Sequence, residues 1–537
     1  MAQAVAVILA AVLAAGALVA PTGEGRALAM LGALVVAPIL LVAHVWDTSA
    51  FEPLRDHPPL ALVVVAGGAV LVGGLAVLFD RQPGLFPLAT VAAVPFRVPI
   101  AVGGSTSNLL IPLYVVIGAG ALAYAVPRLR PGGSGSGSGG GRRRGGHAPG
   151  VDALAGVLAP REGRVREPEH PVGRLELLLA ASVVLYAVQA TYSSDADHAL
   201  ENVIFFYVPF AILFALLGRV QWTAELVGRC LGVLAVLAVV FAGIGFVEYG
   251  TKHVLLNPRV IASNQLESYF RVNSLFFDPN IYGRFLMVVM LGLAGTVLWA
   301  TVQRTAISAT AVLVVLWAGL VLTFSQSSFV ALLVGLAVLG GLRWSVRVAA
   351  LAAGALVVVA VGLALLAPDA IRFDLGDSKS ADTATSGRYD LIEGGLDLFA
   401  DSPVVGQGAG AFAKDFRRTQ GASDAGAASA SHTIPVTVAA EQGIPGFLLY
   451  VALLIAAFGR LFRGALTSVP RAVVAAAFLA LVVHTLMYAA FLEDPLTWTL
   501  LGVGVALARI APGGQDVAER VAARRAAAAA RTSPSPS

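Results

Sequence analysis

The stretch CLGVLAVLAVVFAGIGFV, residues 230–247, contains no charged residue and is bounded by Arg229 and Glu248. A helix rises about 1.5 Å per residue, so a run of this length crosses most of a hydrocarbon layer about 30 Å thick. Comparable runs lie near 4–20, 27–46, 60–80, 85–101 and 107–126. Further runs lie near 174–192, 199–217, 281–300, 305–324, 326–342, 347–367, 434–458, 470–491 and 494–511. Composition agrees with this reading, at 57% apolar, 13% charged and a mean hydropathy of +0.81. Soluble domains are about 45–50% apolar and about 25% charged, so this chain has too little polar surface to enclose a water-soluble core. The expectation is an all-α polytopic membrane protein of about 14–15 transmembrane helices, with a large extracytoplasmic loop carrying short helices. The run 85–101 is the least regular, because Pro87, Pro95, Pro99 and Arg97 interrupt it, and a re-entrant segment is its alternative reading.

Helices 1–126 are separated from a central block, 174–367, by a linker at 127–173 containing GGSGSGSGGGRRRGG. Gly/Ser repeats bury nothing and are expected to be disordered, and the Arg cluster 142–144 places the linker in the cytoplasm. The basic tail 512–537 is expected on the same side, after the last helices in 434–511. The first run lacks a preceding basic residue and a clear cleavage site, so it reads as a retained helix. Alternation from these fixed ends turns two long segments outward, 249–280 and 368–433, together with the turn holding Glu493 and Asp494. The pI near 9.3 arises from linker, tail and short turns and not from one patch, so no nucleic-acid partner is expected. The single cysteine, Cys230, excludes an internal disulfide.

Outward loops should be poor in basic residues, yet these two are not. Arg271 lies in YFRVNSLFFDPN (269–280), where Asp278, Pro279 and Asn280 form a turn-and-cap sequence, with Asn280 suited to the N-cap, ahead of a helix bearing Arg284. An arginine there meets a phosphate bidentately or serves as an ordinary interfacial cation. Arg388 opens a segment whose acidic residues 390, 393 and 397 share one helical face, so a short helix on the membrane surface is expected. Its cation at a helix N-terminus calls for a compensating anion, either Asp390 or a bound pyrophosphate. The run Gly406-Gln-Gly408-Ala-Gly410 follows a helix and not a strand, which suits a tight turn or backbone-amide nest better than a dinucleotide fold. His432 precedes Thr433, Ile434 and Pro435 at the mouth of a helix, with Ser431 or Thr433 as its cap, where the dipole favours a neutral imidazole suited to general-base work. Glu441, about 13 Å deeper, is an intramembrane carboxylate that needs a partner or a function.

The ordered set TFSQSS (323–328), SGR (386–388), DSPVVGQG (401–408) and His432 followed by EQGIPG (441–446) resembles the O-antigen ligase/polymerase superfamily. The specific resemblance covers roughly 260–450. It implies an inverting, metal-independent membrane glycosyltransferase of the GT-C type in the cytoplasmic (inner) membrane, with its active site extracytoplasmic. Such an enzyme moves a glycan from undecaprenyl pyrophosphate to an acceptor hydroxyl, so its partners are the lipid-linked donor, a glycan or lipid acceptor and membrane lipids. Carried over by position, Arg271 and Arg388 hold the donor pyrophosphate, with Arg259 or Arg284 as alternatives to Arg271, and His432 activates or positions the acceptor. Asp278, Asn280, Arg284, Gly406, Gly408 and Glu441 are then candidate substrate-binding residues, and no cofactor is expected. A polysaccharide polymerase of the same superfamily is an alternative. A secondary transporter or lipid flippase is the rival from another class, favoured by Arg97 and Glu441 and disfavoured by the absence of a convincing repeat.

The orientation is testable with single cysteines at Ser136 and Ser423 in a Cys230→Ser background. In intact cells an impermeant thiol reagent should label position 423 and spare position 136; the opposite pattern overturns it.

Overall fold

The computed structural model describes residues 2–46, 52–102, 105–130, 172–256, 270–345, 388–420 and 433–509, with the single residues 260, 264 and 347. The N-terminal group consists of α1 (Ala2–Val19), α2 (Gly23–Val45), α3 (Glu52–Asp56), α4 (Pro58–Arg81), α5 (Leu85–Ala93), strands β1 (Val98–Val102) and β2 (Ser105–Leu109), and α6 (Ile111–Leu129). Next come α7 (Arg174–Ala190), α8 (Ala196–Asn202), a π turn (Val203–Tyr207), α9 (Val208–Leu217), α10 (Ala224–Thr251), α11 (Pro279–Leu298), α12 (Gln303–Thr323) and α13 (Gln326–Arg343). The chain continues with α14 (Arg388–Asp401), α15 (Phe412–Gln420), α16 (Ile434–Leu461), α17 (Val469–Thr485) and α18 (Pro495–Arg509).

Local chemistry sets many of these boundaries. Thr22 and Thr223 each close a helix N-terminus by accepting a backbone N–H, from Gly25 and Leu226, both at 3.1 Å. Proline occupies the first turn of α4, α6, α9, α11, α16 and α17, where its missing N–H costs no helical bond.

Among the described residues, nine helical stretches are long and apolar enough to cross a membrane, and the protein is a polytopic, multi-pass membrane protein. Its core is the helix ending at Leu217, whose apolar window is 83% buried, together with α11, at 78%. At the periphery, only 11% of the α4 window is buried, and Leu62, Val63, Val65 and Val70 are exposed. Apolar side chains facing outward from a well-packed bundle are what lipid as solvent requires.

The fold departs from the hydropathy reading at 85–101. That stretch is no single span: it is the short α5, a turn at Val94–Pro95 and the strand β1, which pairs antiparallel with β2. Val98 stands opposite Leu109 and Val102 opposite Ser105. The prolines deny a continuous helix its backbone donors, so the helix stops and the chain turns into a strand. This ribbon is the one sheet among the described residues. The expected span 347–367 lies outside the described residues but for 347, as do most of the linker 127–173 and the tail.

Candidate active site

Polar residues gather at the end of the bundle where α11, α13, α16 and α18 begin and α7, α12 and α17 end. Arg271 is half-buried there. Asn264 clasps its backbone, accepting from Arg271 N at 3.0 Å and donating to its carbonyl at 2.9 Å. Its guanidinium donates through Nε to the Thr323 carbonyl at 3.0 Å and through Nη2 to Asn280 Oδ1 at 3.3 Å. Among the described residues Nη1 has no partner, so one side of the fork stays open. Asn280 is free to do this because Asp278 takes the N-cap position of α11, its carboxylate accepting from the Asn280 amide at 2.6 Å. The cap expected at Asn280 is therefore shifted by two residues, since the Asp278 carboxylate, placed ahead of Pro279, reaches an orphan N–H of the first turn.

From Asn280 the contacts run inward. Its Oδ1 also accepts from Ser325 Oγ at 2.9 Å, and Ser325 Oγ lies 3.2 Å from Ser327 Oγ and 2.8 Å from Ser328 Oγ. Thr323, Ser325, Ser327 and Ser328, all from the TFSQSS stretch, are completely buried. They form a break between α12 and α13 in which Phe324 adopts φ 50. Both Ser327 and Ser328 meet His484 Nε2, at 3.2 and 3.1 Å. The other ring nitrogen, Nδ1, accepts from Arg284 Nε at 3.2 Å, so the network assigns the ring proton to Nε2. Arg284 also donates to the Ala490 and Ala489 carbonyls, each at 3.0 Å, and forms a buried ion pair with Asp494. Its donors are engaged within the protein. Arg97, in the turn before β1, has Asp494, Arg284 and Tyr488 as electrostatic neighbours. The re-entrant segment thus brings another cation to the cluster, and among the described residues no ion pair neutralises it.

A second assembly joins loop and helix. Gln407 N donates to the Ala440 carbonyl and Gly408 N to the Glu441 carbonyl, both at 2.9 Å, while Ile444 N donates to Pro403 O at 2.8 Å. The Glu441 carboxylate accepts from Gly410 N at 2.9 Å and Phe412 N at 3.2 Å. The backbone nest anticipated from the glycine run is present, and its occupant is Glu441 of the same chain. Gly406 sits at φ 73, and a Cβ there would collide with the Glu441 carbonyl. Gly443 breaks α16 at φ 63, ψ −164, and a Cβ on it would lie 2.7 Å from the Val404 carbonyl. Gln189, Tyr192 and Ser193, following from α7, donate to Gln442, Val405 and Ala409 carbonyls at 3.1, 2.8 and 2.7 Å.

Arg388 is the first residue of α14. That helix forms as its acidic periodicity predicts, but Leu391 and Leu398 pack on Phe412, Phe416 and Ala440 of the protein instead of on a membrane surface. The Arg388 side chain and His432 lie outside the described residues; His432 directly precedes Thr433, the N-cap residue of α16, whose side chain makes no capping bond. Of Glu493 and Asp494, expected in an outward turn, Asp494 is buried and Glu493 partly buried, because the segment between α17 and α18 folds into the bundle. Burial raises the Glu493 carboxyl above its ordinary range, opposed by hydrogen bonds from backbone amides and the Tyr207 hydroxyl. Sequence reasoning missed His484 and Ser327/Ser328 as a unit. A histidine inside the apolar run 470–491 was the available signal, since intramembrane polar groups need partners.

The clamp predicts a stability effect. Gly443→Ala, which strains a positive φ and crowds Val404, should cost about 1–3 kcal/mol and lower the thermal midpoint of the purified protein. Gly459→Ala, further along α16, meets nothing within 4 Å and should leave the midpoint unchanged. Equal midpoints for the two variants would mean that the clamp contributes nothing to stability.

The model of the O-antigen ligase family matches residues 310–451, about a quarter of the chain. The match begins within α12 and ends within α16, taking in the serine break, α14, the glycine clamp and Glu441. Arg97, Arg271, Arg284 and His484 lie outside it. No curated protein matches the chain. The match at residues 310–451 supports the resemblance to the O-antigen ligase/polymerase superfamily.

Proposed function

We propose that the protein is an inverting, metal-independent membrane glycosyltransferase. It transfers a glycan from undecaprenyl pyrophosphate to an acceptor hydroxyl on the outer face of the cytoplasmic membrane, as a ligase or polymerase in surface polysaccharide assembly. The observation that carries this reading is the state of Arg271. Its guanidinium is fixed through Nε and Nη2 by a buried polar chain, while the Nη1 side faces no described partner. A preorganised fork with an open edge suits a diphosphate, which needs charge stabilisation as it departs. Arg284 is poorly suited to that task because its donors are consumed by His484, Asp494 and two carbonyls. Arg97 adds positive charge to the same cluster. Arg388 supplies a second donor contact in this reading, and His432, at the mouth of α16, accepts the acceptor proton as the hydroxyl attacks. Gly406, Gly408 and Glu441 act by holding α14 and the loop in place. The rival reading, a transporter or lipid flippase, draws on the broken helices at Phe324 and Gly443 and on the half-buried Arg97.

Purified protein in nanodiscs, given an undecaprenyl-pyrophosphate glycan and an acceptor, separates these readings. Arg388→Lys and Arg271→Lys should each lose about tenfold or more of transfer with membrane insertion intact, because an ammonium cannot replace a bidentate fork. Wild-type rates in both variants would remove the arginines from the donor site.

His432→Ala should lower transfer by about 10²–10⁴-fold while donor binding persists. Transfer should also decline on acidification as an imidazole base is protonated, and EDTA should leave it unaffected. Coupled transport without transfer would favour the rival.

A further inference from the structure

On the far side of the segment that holds Arg284 lies a cavity that the reading above does not use. It is formed by α7, the π turn, α16 and residues 491–493, and is a small cleft partly open to solvent. Ligand sites are mostly apolar, with a few convergent polar groups. Here those groups are Tyr186, Tyr207, Glu441, Tyr450 and Glu493. The rim reaches Ile434 and Thr437 in the first turn of α16, the helix that His432 precedes.

We infer that this cavity binds a neutral, hydroxyl-rich ligand, the sugar end of the acceptor, an assignment that rests on the transferase reading. Tyr450 is 7% exposed, and its hydroxyl is buried without a hydrogen-bond partner among the described residues. An unmade hydrogen bond in such a place is costly unless something else completes it. Glu493 accepts from Tyr207 Oη at 3.2 Å on one oxygen and from Phe491 N at 3.0 Å on the other. Each carboxylate oxygen retains a lone pair for a further hydroxyl donor. Glu441 is in the same condition, with one backbone amide on each oxygen.

The lining includes neither lysine nor arginine, so no cation there would hold a phosphate. The amides already on both Glu441 oxygens would repel a cation held there. A lipid tail would leave the carboxylates and the Tyr450 hydroxyl without partners. Tyr186 and Tyr207 stack at 4.3 Å, and Phe491 stands edge-on to Tyr450 at 5.6 Å, giving apolar faces beside the polar groups. A sugar, with hydroxyls around a largely apolar ring, satisfies both kinds of surface. The π turn also supplies Tyr207, and π turns recur at functional sites.

The test measures binding directly, apart from turnover. The probe is an oligosaccharide released by mild acid from the producing cell's own surface glycan, titrated against the full-length protein in nanodiscs. Wild type should bind it, and Tyr450→Phe should weaken binding about fivefold. Tyr282→Phe is the matched control: its hydroxyl is also buried without a partner but lies outside the cavity, and binding should be unchanged. Glu493→Gln should weaken binding as well, and provides the readout should Tyr450→Phe not fold. Equal binding by wild type and Tyr450→Phe, or no binding by wild type, overturns the assignment. If wild type then still transfers glycan, only the cavity assignment falls. Tyr450-dependent binding without any transfer would instead leave the cavity a sugar site and remove the transferase reading. EDTA-sensitive binding would point to a cation at the carboxylates and would equally overturn the proposal.

Discussion

A guanidinium inside a lipid-facing bundle is tolerated only when its donors are met, and Arg284 shows how this chain meets that requirement. It is 1% exposed, pairs with Asp494 and bonds His484 and two carbonyls of the segment after α17. The requirement shapes three elements at once. The segment 486–494 must turn inward to present its carbonyls and Asp494. The imidazole of His484 must offer Nδ1 to Arg284, which directs Nε2 toward Ser327 and Ser328. Those serines stand in the first turn of α13, just after the break at Phe324. Such a pair is not in itself a large gain over an apolar packing, but losing one partner strands a buried charge, at about 3–5 kcal/mol. The same chain of contacts ends at Arg271 and orients its guanidinium. Fold integrity and presentation of a surface cation are therefore not independent in this protein.

The second organising constraint is backbone proximity between 402–411 and 440–444. Three backbone hydrogen bonds and the Glu441 carboxylate hold the loop to α16, and glycines stand where side chains would not fit. Glu441 illustrates how one residue type supports two readings. A carboxylate in an apolar helix looks like a site for a proton or a ligand, and here its first duty is to two amides of its own chain. That duty leaves lone pairs over, which is why it also borders the tyrosine-lined cavity.

Much of this was legible in the sequence, and the failures have physical causes. Long apolar runs read correctly because lipid demands them and because helices satisfy their own backbone. The stretch 85–101 was misleading because hydropathy averages over prolines that forbid a continuous helix. Glu493 and Asp494 look like a solvent-facing turn in one dimension, since a linear charge pattern carries no record of the arginine that draws the turn inward. The helix at Arg388 was legible from its acidic spacing, whereas the partner for its apolar stripe was not: periodicity names a buried face, not what buries it. The glycine run predicted a nest, and only the structure showed its occupant. His484 was passed over because a lone histidine in an apolar run becomes informative only once Arg284 and the serines are seen beside it.

The break at Gly443 has a consequence for where the membrane-embedded part of the molecule ends. Hydropathy treats Ile434–Leu461 as one rod with its boundary at the first apolar residue. Mechanically it is two rods, because the hydrogen-bond ladder is interrupted and the residues on either side of the break answer to different neighbours. The piece before Gly443 is joined edge to edge with loop 402–411, to which Ile444 also bonds, while the longer piece after it runs on through the bundle. The division between the part that carries the loop and the part that spans the bundle thus runs through the middle of a helix, at one glycine peptide.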